Sequence, residues 1–236
     1  MTFDPKRPSL FPALTGEPEA PVLAEPSLFY APPYERPLED EFAWHLVKYL
    51  NPVTALGYQV KVATPCAHFW VDFVVEHGGR RIGFECGELE AEADDRHERL
   101  RAALLVGSGE VDVLYRFRGV DLVHRLHDCL LLAARWDPEL FSPRGRLNLD
   151  TLASPETQAH RPLRGETVAR VAYRTDEEEG AAEGEAFTWP APEQPTLVVH
   201  RLSHDNPAAW VRDFDHALAH FGVSEERLSA RWGKTG

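Results

Sequence analysis

The stretch FWVDFVVEHGGRRIGFECGE, residues 69 to 88, constrains the fold more than any other part of this chain. It is typical of two short β-strands joined at Gly78-Gly79, and two consecutive glycines suit the two-residue turn of a β-hairpin. If these glycines are the central turn residues, His77 faces Arg80. The sequence therefore predicts an antiparallel hairpin whose register is set by its turn.

That register places two carboxylates opposite each other, because counting outward from the turn pairs Asp72 with Glu85. Cross-strand neighbours have Cβ atoms ~5 Å apart, and like charges there repel unless a cation or a proton intervenes. The reverse face is apolar and is expected to be core: Val71, Phe73, Val75, Ile82, Phe84 and Cys86. The two acids are thus expected to point away from the core, on the face that also carries His68, Trp70 and Gly87.

Two carboxylates at this separation form an oxygen-rich site for Mg²⁺ or Mn²⁺, which take a few protein oxygens and keep several waters. A third ligand is expected from the helix before the hairpin, where Glu39 shares the apolar stripe and points toward the sheet. The predicted metal ligands are Asp72, Glu85 and Glu39. A second interpretation stays open, in which each hairpin acid faces solvent and pairs with an arginine such as Arg81 or Arg116.

Helical and strand patterns divide the rest of the chain. We expect a proline-rich arm at 1–33, a main domain at 34–146, and a C-terminal strand and helix extension at 147–236 with an acidic loop near 175–187. Predicted helices cover 37–50, 89–107, 120–136 and 207–221, and predicted strands cover 58–63, 111–117, 167–173, 185–189 and 196–202. The last strands fit a small second unit and an extension of the first sheet equally well.

Composition restricts the environment and the partners. No apolar run approaches the ~20 residues needed to span a bilayer, and the N-terminus lacks a signal-peptide pattern, so we expect a cytoplasmic protein without membrane contact. Three cysteines without metal-type spacing are expected to be reduced thiols. The net charge of -13 disfavours DNA as a partner. Arginines outnumber acids between 96 and 146, however, and Arg116 and Arg118 are the expected nucleic-acid contacts.

The order of these elements resembles the PD-(D/E)XK nuclease superfamily, in particular the branch similar to very short patch repair endonucleases. The pieces that carry the resemblance are EDEFAWHL, VDFVVEHGGRRIGFECG, DRHERLRAALL and VDVLYRF, within residues 37 to 136. The resemblance implies an α/β fold with a restriction-endonuclease-like mixed sheet flanked by helices, followed here by a small C-terminal α+β extension. It also implies a divalent metal, Mg or Mn, held by Asp72 and Glu85 with help from Glu39.

The chain departs from the family two places after the second acid. Active relatives carry Lys or Asp there to position or activate the attacking water, and this chain has Gly87. Of its four lysines, Lys61 on the strand before the hairpin is the expected stand-in, and His68 is a candidate general base for a metal-bound water. The candidate catalytic residues are therefore Asp72, Glu85, Lys61 and His68.

Three functions fit these observations. Gly87, the scarcity of lysine and the negative charge favour a protein on a degenerate nuclease-like fold that acts in nucleic-acid or protein binding. The retained acids and the arginines after residue 95 favour an active Mg-dependent DNA endonuclease with an altered motif. An acidic protein-interaction module unrelated to nucleases is the third.

Overall fold

The computed structural model describes residues 37–87, 95–163, 165–173 and 196–222. Its helices are α1 (Pro37–Tyr49), α2 (Asp95–Gly107), α3 (Gly119–Trp136), α4 (Pro143–Leu152), α5 (Pro155–Ala159) and α6 (Val211–Phe221). Its strands are β1 (Ala55–Ala63), β2 (His68–His77), β3 (Arg80–Cys86), β4 (Val113–Phe117), β5 (Val168–Ala172) and β6 (Thr196–Ser203). The arm at 1–33, the predicted strand at 185–189 and the acidic loop near 175–187 lie outside the described residues.

The hairpin predicted from the glycine pair is confirmed. Strands β2 and β3 are antiparallel, with His77 opposite Arg80 and Val75 opposite Ile82. Both turn glycines have positive φ, +58° and +79°, which glycine adopts at little cost because it has no Cβ. The turn therefore sets the register of the hairpin, as the sequence predicts.

All six strands belong to one mixed sheet in the order β1-β2-β3-β4-β6-β5. Only β3 and β4 are parallel, and the other neighbouring pairs are antiparallel. Because β6 pairs with β4 on one side and with β5 on the other, the C-terminal strands extend the first sheet. The structure confirms an α/β protein with a mixed sheet flanked by helices. Of the two arrangements expected for the C-terminal strands, a small second unit and an extension of the first sheet, the structure shows the extension.

One face of the sheet is covered by α1, α3 and α4. The apolar stripe of α1 buries Phe42 completely, and its ring centroid lies 5.5 Å from those of both Phe73 and Phe117. Burying a side chain of this size stabilises the fold by about 2 kcal/mol. This cluster holds α1 against the hairpin, so the acids in the first turn of α1 lie near the sheet.

The opposite face is covered by α2 and α6, which corrects the expectation that Asp72 and Glu85 point away from the core. Leu105 and Val106 of α2 and Trp210 before α6 pack with Val74 in a second buried cluster. The register-based prediction assumed one apolar and one exposed face. In a sheet with helices on both sides, the side chains that point to either face are buried.

The alternation of β2 is interrupted at Asp72. Val71 packs in the cluster under α2, whereas Phe73, two residues later, packs in the cluster under α1. The neighbouring strand is distorted at the same level, because Gln59 of β1 has φ of +48°. Positive φ is uncommon for a residue other than glycine and marks a local distortion of the strand. The prediction that Val71 shares a face with Phe73 is therefore wrong.

Two short helices that the sequence analysis left out, α4 and α5, complete the fold. Each begins with a serine followed by proline, and the serine hydroxyl accepts a hydrogen bond from a main-chain N–H three residues on: Gly145 for Ser142 and Thr157 for Ser154. Serine at the N-cap and proline at the first helical position are a known start signal. The repeated Ser-Pro pair was the available clue.

No helix within the described ranges is both long and apolar enough to cross a bilayer. The three cysteines are free thiols, and Cys129 is buried in α3.

Candidate carboxylate site

Asp72 lies where the two hairpin strands stop pairing. The last paired residues at this end are Phe73 and Phe84, so Asp72 and Glu85 do not form the expected cross-strand pair. One Asp72 oxygen, Oδ2, accepts the main-chain N–H of Cys86 at 2.8 Å, and Oδ1 accepts the Gln59 amide at 2.9 Å. The carboxylate is therefore turned onto the end of β3 and held there by two donors.

Glu39 joins Asp72 through a shared donor. The Nε2 atom of Gln59 donates to Glu39 Oε2 at 3.0 Å as well as to Asp72. Glu39 is only 9% exposed, as expected for an acid on the packed stripe of α1. One carboxamide thus bridges an acid from the first helix and an acid from the hairpin.

Glu85 is paired with a guanidinium from α2. Arg101 Nη2 lies 2.8 Å from Glu85 Oε1, and the two side chains are only 14% and 12% exposed. Arg101 also donates to Glu98 at 3.4 Å and to the main-chain oxygen of Trp70. The alternative interpretation expected an arginine partner for this acid, but the arginine is Arg101, and Glu85 is largely buried instead of facing solvent.

The environment makes both hairpin acids harder to ionise. Burial raises the pKa of Asp72 against the hydrogen bonds from Cys86 and Gln59, and the charge of Glu39 adds to the increase. Burial also raises the pKa of Glu85 to about 7, opposed by Arg101 and reinforced by Asp72. Because metal ligands must be deprotonated, a cation at this position would compete with a proton on Glu85 near neutral pH.

These residues do not fit the divalent metal that the nuclease resemblance implies. In the described part of the chain, no group of three or more His, Cys, Asp or Glu side chains is arranged to hold a metal ion. The directions in which Asp72 and Glu39 would offer oxygens to a cation are occupied by Gln59, and Glu85 is occupied by Arg101. The geometry does not support the prediction of a metal on Asp72, Glu85 and Glu39.

The position of the missing motif residue is closed by main chain. The Gly87 N–H donates to the Phe117 carbonyl oxygen at 2.8 Å, which carries the parallel pairing one residue beyond β3. A Cβ on Gly87 would lie 2.8 Å from that same oxygen and 3.6 Å from the Arg118 Cα. Because the close neighbour is backbone, a side chain at this position requires the strand end to move.

Lys61 and His68 are exposed residues on β1 and β2. Lys61 pairs with Trp70, whose side chain is 55% exposed, and His68 pairs with Ala63 at the end of the same ladder. The donors that contact Asp72 and Glu85 come from other residues. Catalytic roles for Lys61 and His68 stay predictions.

The two arginines expected at a nucleic-acid surface have different surroundings. Arg118 makes a bidentate pair with Asp121, at 2.6 and 2.9 Å, and also donates to the Thr196 main-chain oxygen, so it ties the start of α3 to β6. Arg116 lies beside Glu85 in the β3–β4 ladder, and its guanidinium is 3.7 Å from Glu98. Arg118 therefore has a structural role, and Arg116 lies at the edge of the carboxylate site.

Sequence reasoning missed Gln59 and Arg101. Aligning β1 with β2 from the turn at residues 64–67 would have placed Gln59 beside Asp72, since Ala63 pairs with His68. Arg101 follows the buried Leu100 on α2, but the direction of its side chain depends on how α2 crosses the sheet. The sequence therefore contained a signal for the position of Gln59 but none for the contact made by Arg101.

Fold and site together define an α/β protein with a six-stranded mixed sheet between helices and a partly buried carboxylate cluster at the open end of a hairpin. Comparison of the chain with protein-family models, curated proteins and solved structures finds no match.

Proposed function

We propose that this chain is a non-catalytic binding protein on a nuclease-like α/β fold. The observation that carries the proposal is the packing of Gly87 against the main chain of Phe117. In the nucleases that the chain resembles, this position supplies a side chain for the attacking water. Here the approach of the two backbones leaves no room for one.

The chemistry of phosphodiester cleavage supports the same conclusion. Metal-assisted cleavage needs a cation that neutralises the leaving oxygen and a poised water. In this chain an arginine neutralises Glu85, and a carboxamide bridges Glu39 and Asp72. Among the described residues, no group of three or more His, Cys, Asp or Glu side chains is arranged to hold the cation that this chemistry needs.

The charge distribution favours a protein over a nucleic acid as the binding partner. The chain carries a net charge of -13, and phosphate binding depends mainly on free Lys and Arg. Arg118 is committed to Asp121, and Arg116 lies near Glu98. Trp70 offers an exposed apolar contact beside Lys61, and aromatic side chains of this kind are enriched in protein interfaces.

One observation favours an active endonuclease as the second candidate. Glu39 and Asp72 come within reach of one carboxamide nitrogen, so two of the three predicted metal ligands do converge. Rotation of Gln59 and Arg101 would release the oxygens of Glu39, Asp72 and Glu85 that these two side chains contact. This candidate requires a second arrangement of those two side chains.

A cleavage assay separates the two candidates. Supercoiled plasmid and single-stranded DNA are incubated with the protein at low salt and with Mn²⁺, beside an Asp72→Asn variant. We expect no cutting by either protein, and no increase in the melting temperature of the wild type with Mn²⁺. Cutting by the wild type that disappears in Asp72→Asn would overturn the non-catalytic proposal.

Gel retardation of the same DNA addresses the partner. We expect no retained DNA at about 0.15 M salt, because a chain with a net charge of -13 gains little from counterion release. Binding that weakens steeply with salt and is reduced in Arg116→Gln would show instead that the partner is a nucleic acid.

A further inference from the structure

We propose that Arg101, as a built-in counter-ion, and Gln59, as a neutral hydrogen-bond donor, hold the carboxylate cluster in place of a metal ion. The inference rests on the proposed non-catalytic function and deepens it by naming the residues that replace the cation. Of these two residues, Arg101 carries most of this role, because its guanidinium has a full positive charge and the Gln59 amide is neutral.

The cluster concentrates acidic side chains in a part of the fold that is shielded from water. Glu39, Asp72 and Glu85 are all partly or largely buried, and Glu98 lies 3.4 Å from a second nitrogen of Arg101, Nη1. Ionised carboxylates that leave water without a partner destabilise a fold strongly. Donors at 2.8 to 3.0 Å supply partners for all three buried acids.

Arg101 is fixed in place by contacts on several sides. Its neighbours Leu100 and Leu104 anchor α2 in a buried apolar cluster. Its guanidinium donates to Glu85 and to the Trp70 main-chain oxygen and lies 5.8 Å from the centre of the Phe69 ring. A planar group with five N–H donors can satisfy such spread acceptors at once, which a spherical ammonium cannot.

Gln59 contributes a neutral donor at the cost of a distorted strand. Its φ of +48° lies in a region that residues other than glycine rarely adopt, and such a conformation is strained. The distortion places Nε2 between Glu39 and Asp72, where each of its two hydrogens reaches a different carboxylate. The strain and the two hydrogen bonds occur at the same residue, as expected if the bridge maintains this backbone conformation.

The test compares Arg101→Met, Arg101→Lys and the double variant Arg101→Met/Glu85→Gln with the wild type. Methionine keeps the aliphatic stem that packs on the sheet and removes the charge, and lysine keeps the charge without the planar fork. Melting temperatures are measured at pH 8 with and without millimolar Mn²⁺, using matched ionic strength.

We expect Arg101→Met to lower the melting temperature by roughly 6–12 °C, because it leaves a largely buried carboxylate unpaired. Mn²⁺ is expected to restore several degrees in Arg101→Met and none in the wild type or the double variant. Arg101→Lys is expected to lie between the wild type and Arg101→Met and to respond little to Mn²⁺.

Three outcomes would overturn the inference. An Arg101→Met protein that responds to Mn²⁺ no more than the wild type would show that the guanidinium does not stand in for a cation. If Arg101→Met does not fold and Glu85→Gln fails to restore folding, Arg101 acts only through its packing and main-chain contacts. A wild type stabilised by Mn²⁺ would show that a cation binds with Arg101 in place.

The outcomes also separate this inference from the proposed function. If Mn²⁺ does not raise the melting temperature of Arg101→Met and the wild type does not cut DNA, the counter-ion role is excluded and the proposed function is retained. DNA cleavage by the wild type removes the proposed function itself.

Discussion

Glu85 and Gly87 lie two residues apart at the end of β3, but their surroundings differ. The first has a charged partner, and the second has no room for a side chain. Glu85 lies beneath α2, where its charge needs Arg101. Gly87 approaches the Phe117 main chain so closely that any side chain collides with it. The sequence identified both positions, but it assigned Glu85 to a metal and could not say what lies beside Gly87.

The closure at Gly87 predicts that adding a side chain lowers stability without creating activity. We expect Gly87→Ala to reduce the free energy of unfolding by about 1–3 kcal/mol, and Gly87→Lys by at least as much, because the strand end must shift. Urea denaturation measures the change, and the plasmid assay checks that Gly87→Lys does not cut DNA.

Gly78→Asn is the matched control for the Gly87 variants. Gly78 has open space around a Cβ, and asparagine tolerates its positive φ, so we expect a change within about 0.5 kcal/mol. A Gly87→Ala protein as stable as the wild type would show that the strand end moves freely and would remove the argument from Gly87.

At the scale of elements, the packing of α1 against α3 brings two imidazoles together. The rings of His45 and His127 meet edge to face with centroids 4.9 Å apart, and His127 contacts the Tyr49 hydroxyl at 3.0 Å. Burial lowers the pKa of His127, and the charges of His45 and Lys48 lower it further. The pKa of His45 is lowered chiefly by burial and then by Lys48, while Glu41 opposes the change.

This contact predicts a loss of stability in mild acid. Because the folded pKa of each histidine lies below its unfolded value of 6.5, the unfolded chain binds more protons as the pH falls. The stability that the neutral pair provides is present above pH 6.5 and is lost as the pH falls through the folded pKa values. Urea denaturation at pH 7.5 and pH 5 should show a smaller loss for His127→Gln than for the wild type. An equal loss in both proteins would exclude His127 as a source of the pH dependence.

At the scale of the whole molecule, the C-terminal third is part of the sheet. Strand β6 lies between β4 and β5, and α6 packs on α2, the helix that supplies Arg101. The predicted domain boundary at residue 146 therefore divides one sheet and one core. Ala169 and Val199, both beyond that boundary, are fully buried in the cluster that contains α1.

The shared sheet predicts that residues 37–146 do not fold alone. Without β6, the edge of β4 and the apolar cluster beneath α3 would be exposed to water, and an unpaired hydrophobic edge favours aggregation. We expect this fragment to lack a cooperative urea transition, whereas residues 37–222 should unfold cooperatively. A cooperative, monomeric 37–146 fragment would show that the first domain is independent after all.

Local sequence patterns were sufficient to predict the local features of this fold. It predicted the hairpin and its register, helices α1, α3 and α6, strands β1, β4, β5 and β6, and the position of Glu39 on the packed stripe of α1. These features depend on periodicity, turn glycines and residue order, which act over a few residues. The α/β class could be predicted for the same reason, because it follows from the order of the predicted helices and strands.

The partners of the acids, in contrast, depend on how distant segments of the chain pack together. The burial of Glu85 depends on α2 crossing the second face of the sheet, and its partner Arg101 lies 16 positions away along the chain. The reversal of alternation at Asp72 depends on the distorted backbone of Gln59, and the closure at Gly87 depends on the parallel approach of β4. Such contacts join segments that are distant in sequence, so no local pattern specifies them, and they determine whether a carboxylate meets a metal ion or an arginine.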